Sequence, residues 1–171
     1  MVKGNKGEWS EIYVLLRLLA EGKIYAADSD LNKLEDIYFP IIKIIREEIK
    51  GEVKEYYTGE LINIFVNGEK KVELPASEFD SEATTLLEEI KSKVSTSAFS
   101  VNSTEEFMGR ILCYKLAAPA RDKSDITINI VDVQTGYCPT VGFSIKSELG
   151  SAPTLLNAGQ TTNFIYKITP V

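Results

Sequence analysis

The chain has 171 residues, of which 44% are apolar and 26% charged, proportions typical of a soluble globular domain. The chain contains no histidine, which excludes His-ligated zinc and Ser-His or Cys-His catalysis. A net charge of -6 argues against a nonspecific nucleic-acid coat protein, although it does not exclude an acidic metal site. Any chemistry must therefore use carboxylates, lysine, hydroxyl groups or a hard metal ion.

The two cysteines, Cys113 and Cys138, are too few for a zinc site and predict free thiols in a reducing cytosol. No stretch approaches the roughly 18 apolar residues that a membrane span requires. We therefore expect a cytoplasmic protein without membrane contact, folded as a single domain over residues 1–171.

Helical spacing characterises the beginning of the chain. Apolar residues recur every three or four positions over residues 8–21, which predicts an amphipathic helix that ends at Gly22. Residues 30–35 predict a short capped helix that stops before Pro40, because the residue before a proline disfavours helical backbone. The apolar residues 41–45 fit either a helix or a strand.

A β-meander and two helices are predicted next. Asn67-Gly68 is typical of a two-residue hairpin turn, since both residues tolerate positive φ. The β-rich segments of the meander are residues 53–58, 61–66 and 70–74. Residues 77–93 again show helical spacing, and the sequence STEE at residues 103–106 predicts a capping box for a helix that continues through Leu116.

The last third of the chain changes to a period of two. Residues 126–130 alternate isoleucine with polar residues, which predicts a strand, and residues 141–146 and 163–168 predict two more. The order of elements predicts a mixed α/β fold in a single domain.

One hairpin brings chemically useful residues together. The turn between its two strands sets a register that places Asp125 opposite Lys146, while Ser144, Lys146 and Glu148 share a face because side chains alternate along a strand. Such a group suits metal-assisted phosphodiester hydrolysis, in which carboxylates hold Mg²⁺ and a lysine stabilises the charge on the phosphorane or orients the nucleophile. Alternatively, Asp125 only begins a strand and Lys146 is a solvated charge.

Several separated segments resemble, in the same order, the HpaII-like family of type II restriction endonucleases. They are GNKGEWSE (residues 4–11), YAAD (25–28), GFSIKSELG (142–150), TLLNA (154–158) and TNFIY (162–166). The resemblance covers nearly the whole chain. It implies a PD-(D/E)xK nuclease fold, with a central mixed sheet flanked by helices and a β-meander insertion. It also implies Mg²⁺-dependent cleavage of double-stranded DNA at a short palindrome, CCGG in the family's namesake.

The resemblance also implies roles for individual residues. Ser124-Asp125 looks like the "PD" element, with Asp125 as a metal ligand, and Ser144-Ile145-Lys146 looks like the "(D/E)xK" element, with Lys146 as the catalytic lysine. Ser144 replaces the expected acid, so a second metal carboxylate must come from elsewhere. The candidates are Glu148, Glu11 and Glu8, of which we favour Glu11 or Glu8 because a helix before the core sheet often supplies a glutamate in this superfamily.

An alternative first acid is Asp132, which the predicted register places at the far end of the hairpin from Lys146. Candidates for contacts with the DNA backbone are Lys123, Gln160 and Asn163. Alternatively, Lys123 belongs to a solvated face, and Gln160 and Asn163 cap a turn before the last strand.

Members of the resembled family continue beyond the point where this chain stops, which implies the N-terminal part of a longer architecture. A restriction enzyme that cuts a palindrome usually acts as a symmetric dimer, so we expect a homodimer for the full-length form. One alternative is a truncated, noncatalytic remnant that binds DNA weakly or not at all. Another is a protein-interaction domain without nucleic-acid function, which the acidic charge favours.

Overall fold

A computed structural model describes residues 1–94, 97–117 and 124–149 of the chain, and these residues form three helices and a seven-stranded sheet. The helices are α1 (Lys6–Glu21), α2 (Ala76–Ser92) and α3 (Asn102–Arg110). The strands are β1 (Lys23–Ala27), β2 (Lys33–Ile49), β3 (Glu52–Tyr57), β4 (Leu61–Val66), β5 (Glu69–Pro75), β6 (Ile126–Ile130) and β7 (Thr140–Phe143).

The sheet has the order β5-β4-β3-β2-β6-β7, and β1 pairs with the beginning of β2. Every pairing among the described strands is antiparallel, so the predicted mixed sheet is wrong for this part of the chain. The coarser prediction of a mixed α/β fold is confirmed. The sheet places β6, which begins directly after Asp125, between the long central strand and β7.

One apolar core joins the helices to the sheet. It contains Trp9, Ile12 and Leu16 of α1, Phe79 and Leu86 of α2, and inward-facing residues of the strands. The strand residues Ile41, Ile44, Tyr56, Ile62, Ile64, Ile126, Ile128 and Ile130 belong to this core. Burial of these side chains supplies the main favourable free energy of folding.

The residues at the two ends of α1 determine where this helix begins and ends. Asn5 caps the N-terminus, where its side chain accepts from the Glu8 N–H and the Glu8 carboxylate accepts from the Asn5 N–H. Gly22 ends the helix with a φ of 66°, a left-handed conformation that glycine adopts without steric cost. The predicted helix and its end at Gly22 are therefore confirmed.

The predicted helix at residues 30–35 is wrong. Asp28 Oδ1 accepts hydrogen bonds from the N–H groups of Asp30 and Asn32, and Leu31 has a φ of 64°, so the chain turns sharply. The chain then continues into β2, which pairs with β1. Residues 41–45, whose sequence fits either a helix or a strand, belong to β2. Pairing with a neighbouring strand outweighs local helical preference here.

The meander and its hairpin turn are confirmed, since Asn67 and Gly68 join β4 to β5 with φ values of 50° and 81°. The predicted capping box before α3 is wrong, because that helix begins after Val101 without a side-chain cap. The Glu105 carboxylate accepts instead from the Val2 N–H, and Thr104 donates to Glu82.

The third helix is also shorter than predicted. It ends at Arg110 rather than continuing through Leu116, and Leu112 has a φ of 58°. Buried charges on the sheet fix the backbone that follows: Lys54 Nζ donates to Leu112 O at 2.6 Å, and Arg46 donates to Lys115 O at 2.8 Å. These tertiary contacts replace the last predicted helical turns.

Candidate active site at the open end of the β6–β7 hairpin

Asp125 lies directly before β6, at the open end of the β6–β7 hairpin. Its backbone N–H donates to Phe143 O at 2.9 Å, and its carboxylate Oδ2 accepts from the Ile145 N–H at 2.7 Å. The side chain is half-buried. The carboxylate is therefore held beside the residue that separates Ser144 from Lys146.

The observed register differs from the predicted one by two residues. Ile126 pairs with Phe143 and Ile128 with Val141, so Asp125 lies level with Ser144 rather than opposite Lys146. The second strand is also shorter than residues 141–146, since β7 ends at Phe143. Because side chains alternate with a period of two, a shift of two residues leaves the predicted grouping by face unchanged.

The turn explains this difference in register. Asp132 Oδ1 accepts from the Gln134 N–H at 2.9 Å, Oδ2 accepts from Thr135 Oγ1 at 2.8 Å, and the Gly136 N–H donates to Asp132 O at 2.7 Å. The Asp132 side chain thus holds a tight turn closed by the bond from the Asp132 N–H to Tyr137 O, and this turn centres the hairpin one residue earlier than predicted.

Ser144, Lys146 and Glu148 are exposed, whereas Ile145 and Ser147 between them are half-buried. The alternation of the strand therefore continues past its last paired residue. It leaves the lysine and the two other polar side chains on the solvent side of the segment.

The first helix reaches the same end of the hairpin. The hydroxyl groups of Ser10 and Ser147 lie 2.9 Å apart, and Ser10 donates to Lys6 O at 2.8 Å, so Ser147 is the donor to Ser10. Glu11 follows Ser10 on this helix. The contact brings the turn of α1 that carries Glu11 to the segment that carries Lys146.

The two helical candidates for the second acid differ in their contacts. Glu8 Oε2 accepts from the Asn5 N–H at 2.8 Å and so takes part in the helix cap. Glu11 lies one turn further along, next to the Ser10–Ser147 contact. In the described ranges, no three side chains of Asp, Glu, Cys or His gather closely enough to hold a metal ion.

Asp132, the alternative first acid, lies at the far end of the hairpin. Six residues, the five of β6 and Val131, separate it from Asp125, and at roughly 3.3 Å per residue of extended chain this corresponds to about 20 Å. Hydrogen bonds from Thr135 and from the Gln134 N–H lower the pKa of its carboxyl group.

The structure does not describe the predicted DNA-contacting residues Lys123, Gln160 and Asn163. The predicted strand at residues 163–168 also lies outside the described residues.

A cluster of buried charges near this end of the sheet was missed by the sequence reasoning. Glu48 accepts from Lys54 Nζ at 2.9 Å, from Arg46 Nε at 3.3 Å and from the Tyr114 N–H at 2.9 Å. The side chains of these three charged residues are at most 6% exposed. The only available signal was the alternation of Ile44, Arg46 and Glu48, which assigns two charges to the core face of a strand.

The pKa of Glu48 in this buried charge cluster is lowered, whereas that of the neighbouring Cys113 is raised. Burial by itself would raise the pKa of Glu48, but the hydrogen bonds from Lys54 and the Tyr114 N–H, together with the charge of Arg46, lower it. Burial raises the pKa of the neighbouring Cys113 thiol to about 12. Cys113 and Cys138 are both free thiols, as predicted, and burial keeps Cys113 in its protonated form at neutral pH.

Comparison with known proteins identifies the family. The sequence model of the HpaII restriction endonuclease family matches residues 5–171, so the chain belongs to that family. The chain is 46% identical over 166 residues to the type II restriction enzyme HpaII of Haemophilus parainfluenzae, an alignment that covers 96% of this chain and 46% of that enzyme. It thus spans about half the length of the curated relative that it matches. No solved structure matches the chain.

None of the described helices combines the length and the apolar character that crossing a membrane requires.

Proposed function

We propose that this chain forms the catalytic core of a type II restriction endonuclease with PD-(D/E)xK architecture. The reaction is Mg²⁺-dependent hydrolysis of phosphodiester bonds in double-stranded DNA at a short palindrome, with CCGG as the expected sequence. Family membership supports this assignment. The observation that carries it is the 2.7 Å hydrogen bond from the Ile145 N–H to Asp125 Oδ2, which joins the two halves of the motif.

The donor set fits Mg²⁺. A protein usually binds this ion through one or two carboxylates and leaves several water molecules in its coordination shell, so Asp125 and one glutamate suffice. One oxygen of Asp125 already accepts the Ile145 N–H, but a carboxylate offers about four lone-pair positions and retains capacity for a metal. Glu11 is the preferred partner, with Glu8 and Glu148 as the alternatives.

Mg²⁺ held by Asp125 and one of these glutamates would supply polarisation of the scissile phosphate and a lowered pKa for a bound water molecule. The residues of the chain supply the remaining steps. Asp125 and Glu11 fix the position of the attacking water relative to the phosphate, and Lys146 orients this water and stabilises the charge that develops on the phosphate oxygens. The products carry 5′-phosphate and 3′-hydroxyl ends.

The palindromic substrate requires two active sites that face opposite strands, so the complete enzyme is proposed to act as a homodimer. Lys123, Gln160 and Asn163 are proposed to contact the DNA backbone, where their donors would fix the position of the duplex. A cytoplasmic location accords with a DNA substrate and two free thiols.

The test is cleavage of supercoiled plasmid DNA by the purified chain in Mg²⁺ and, separately, in EDTA. Wild-type protein should give discrete Mg²⁺-dependent fragments, whereas Asp125→Ala and Lys146→Ala should lose at least about 100-fold in rate. Glu73→Ala and Lys70→Ala are the matched controls, because they remove an acid and a lysine of one exposed ion pair on β5, at the opposite edge of the sheet from β7. Both controls should cut as wild type does.

The ligand set is tested separately by isothermal titration with Mg²⁺ and Glu11→Gln, Glu8→Gln or Glu148→Gln. Loss of binding in one variant identifies the second carboxylate. If Asp132→Ala abolishes cutting while Asp125→Ala does not, the assignment of the first acid is wrong.

Ser144 favours a second candidate function, because an exposed serine occupies the position of the expected acid. On this reading the chain is a noncatalytic remnant that binds DNA weakly. It predicts a folded protein without Mg²⁺ binding and without cleavage.

A further inference from the structure

We propose that Gly142 is a positioning residue for Asp125. The space left by its missing side chain receives Ser124, and this packing holds the Asp125 carboxylate on the Ile145 N–H. The inference rests on the proposed function for the role of Asp125, whereas the packing itself is independent of any activity.

The close approach is specific to Gly142 and Ser124. A Cβ atom added to Gly142 would lie 2.7 Å from both Cβ and Oγ of Ser124. A change of rotamer moves Oγ but not Cβ, which is fixed to the backbone. A methyl group at position 142 therefore requires the backbone at Ser124 to move away from β7.

The backbone conformation does not explain this glycine. Gly142 is absent from the positive-φ glycines, which in the described residues are Gly22, Gly51, Gly68 and Gly136. It pairs with Thr127 in the regular part of the hairpin, where a glycine weakens a strand. A glycine that costs stability and is not needed for a turn marks a place where another group must come close.

The displaced residue would be the immediate neighbour of Asp125. The bond from the Asp125 N–H to Phe143 O, at 2.9 Å, and the bond from the Ile145 N–H to Asp125 Oδ2, at 2.7 Å, both need residues 124 and 125 to lie against β7. Moving Ser124 outward lengthens both bonds and releases the carboxylate to other rotamers. Gly142 thereby fixes a proposed metal ligand without contacting the metal itself.

The experiment is a double-mutant cycle with Gly142→Ala, Ser124→Gly and the two changes combined. Ser124→Gly removes both atoms that the new methyl group would meet, so the double variant restores the space. Gly109→Ala is the control, because nothing lies within 4 Å of a Cβ at that position in α3. Circular dichroism and thermal unfolding establish that each variant is folded.

The first readout is amide hydrogen exchange, which needs neither metal nor DNA. In Gly142→Ala the Asp125 and Ile145 amides should exchange about tenfold faster or more, while the Ile128 amide in the middle of β6 is unchanged. Both amides should regain wild-type protection in the double variant. The second readout is isothermal titration with Mg²⁺, where Gly142→Ala should lose about 10- to 100-fold in affinity and the double variant should recover it.

Wild-type exchange rates in Gly142→Ala would overturn the proposal. A double variant that remains unfolded or unprotected would also overturn it, because the methyl group would then act through some other contact. If exchange follows the expected pattern but no protein in the series binds Mg²⁺, the positioning by Gly142 stands and the proposed function fails.

Discussion

Glu48 is the residue on which the buried charge cluster depends. It forms ion pairs with Arg46 and Lys54, whose side chains are 6% and 1% exposed, and the half-buried Glu52 is a second negative partner of Lys54 at 3.3 Å. In Glu48→Gln two buried cations face an amide that has donors of its own, so we expect a loss of about 3–5 kcal/mol in the free energy of unfolding. Urea denaturation measures it, and the exposed Glu69→Gln control should change by less than about 0.5 kcal/mol.

The lowered pKa of Glu48 also predicts a pH dependence. The folded state holds the ionised form more strongly than the unfolded state, so the stability it contributes is present above the ordinary pKa of 4.5 and is lost as the pH falls through the lower folded value. Wild-type stability should therefore decline more steeply than that of Glu48→Gln below about pH 4.5. Equal slopes in urea titrations across this range would contradict the assignment.

Substitution of Tyr56 should not lower the free energy of unfolding, in contrast to substitution of Glu48. Its side chain is fully buried, and its hydroxyl group has no hydrogen-bond partner among the described residues. Tyr56→Phe should therefore be as stable as wild type or more stable by about 1–3 kcal/mol. The neighbouring Tyr57 provides the comparison, because its hydroxyl accepts from Lys43 Nζ at 3.2 Å and Tyr57→Phe should lose about 0.5–1.5 kcal/mol. Thermal unfolding separates the two outcomes.

At the scale of elements, the β4–β5 hairpin depends on its two-residue turn. Gly68 has a φ of 81°, a conformation that costs an L-residue roughly 1–2 kcal/mol. Gly68→Ala should lower the free energy of unfolding by about that amount, measured by chemical denaturation. Gly109→Ala should be neutral or stabilising, because alanine favours the helix. A Gly68→Ala variant as stable as wild type would show that the turn does not restrain the hairpin.

Periodicity predicted the elements whose local preference agrees with their tertiary contacts. The helix that ends at Gly22, the Asn67-Gly68 hairpin and the alternating strand at Ile126–Ile130 all follow from residue spacing. The prediction failed at residues 30–35, where the Asp28 turn and pairing with β1 determine the backbone, and after Arg110, where buried charges hold the chain. Such contacts come from distant residues and leave little trace in a local window.

The candidate site was predicted in part. The face shared by Ser144, Lys146 and Glu148 follows from alternation, but the predicted register was two residues off because the turn held by Asp132 centres the hairpin one residue earlier. The approach of α1 through Ser10 and Ser147 could not be foreseen, since the two serines are separated by 137 positions. The close packing of Ser124 on Gly142 could not be foreseen either, because it depends on how near two backbone segments lie and no sequence motif encodes that distance.

At the scale of the whole molecule, the charge of -6 sets the conditions for the proposed binding of DNA. An acidic surface repels the phosphate backbone unless cations neutralise the acidic site. Fluorescence anisotropy with a CCGG duplex should therefore show binding that is at least about tenfold tighter in Mg²⁺ than in EDTA. Asp125→Asn should reduce this difference, because it removes a negative charge and a proposed ligand. Equal affinity of the wild-type chain in both conditions would contradict an acidic metal site at the DNA surface.

The sheet order has a consequence for the order of assembly. β2 pairs on one side with β3, its neighbour in sequence, and on the other with β6, so that Ile44 meets Ile128 across 84 positions. The meander and its helices can assemble from nearby residues, whereas the hairpin that follows Asp125 must dock later on the open edge of β2. Asp125 and Lys146, which flank this hairpin, therefore take their positions when the last of the described strands pair. We expect most of the described helices to form in a nascent chain before the candidate active site is assembled. In mild denaturant we expect the candidate site to be lost before the helices unfold.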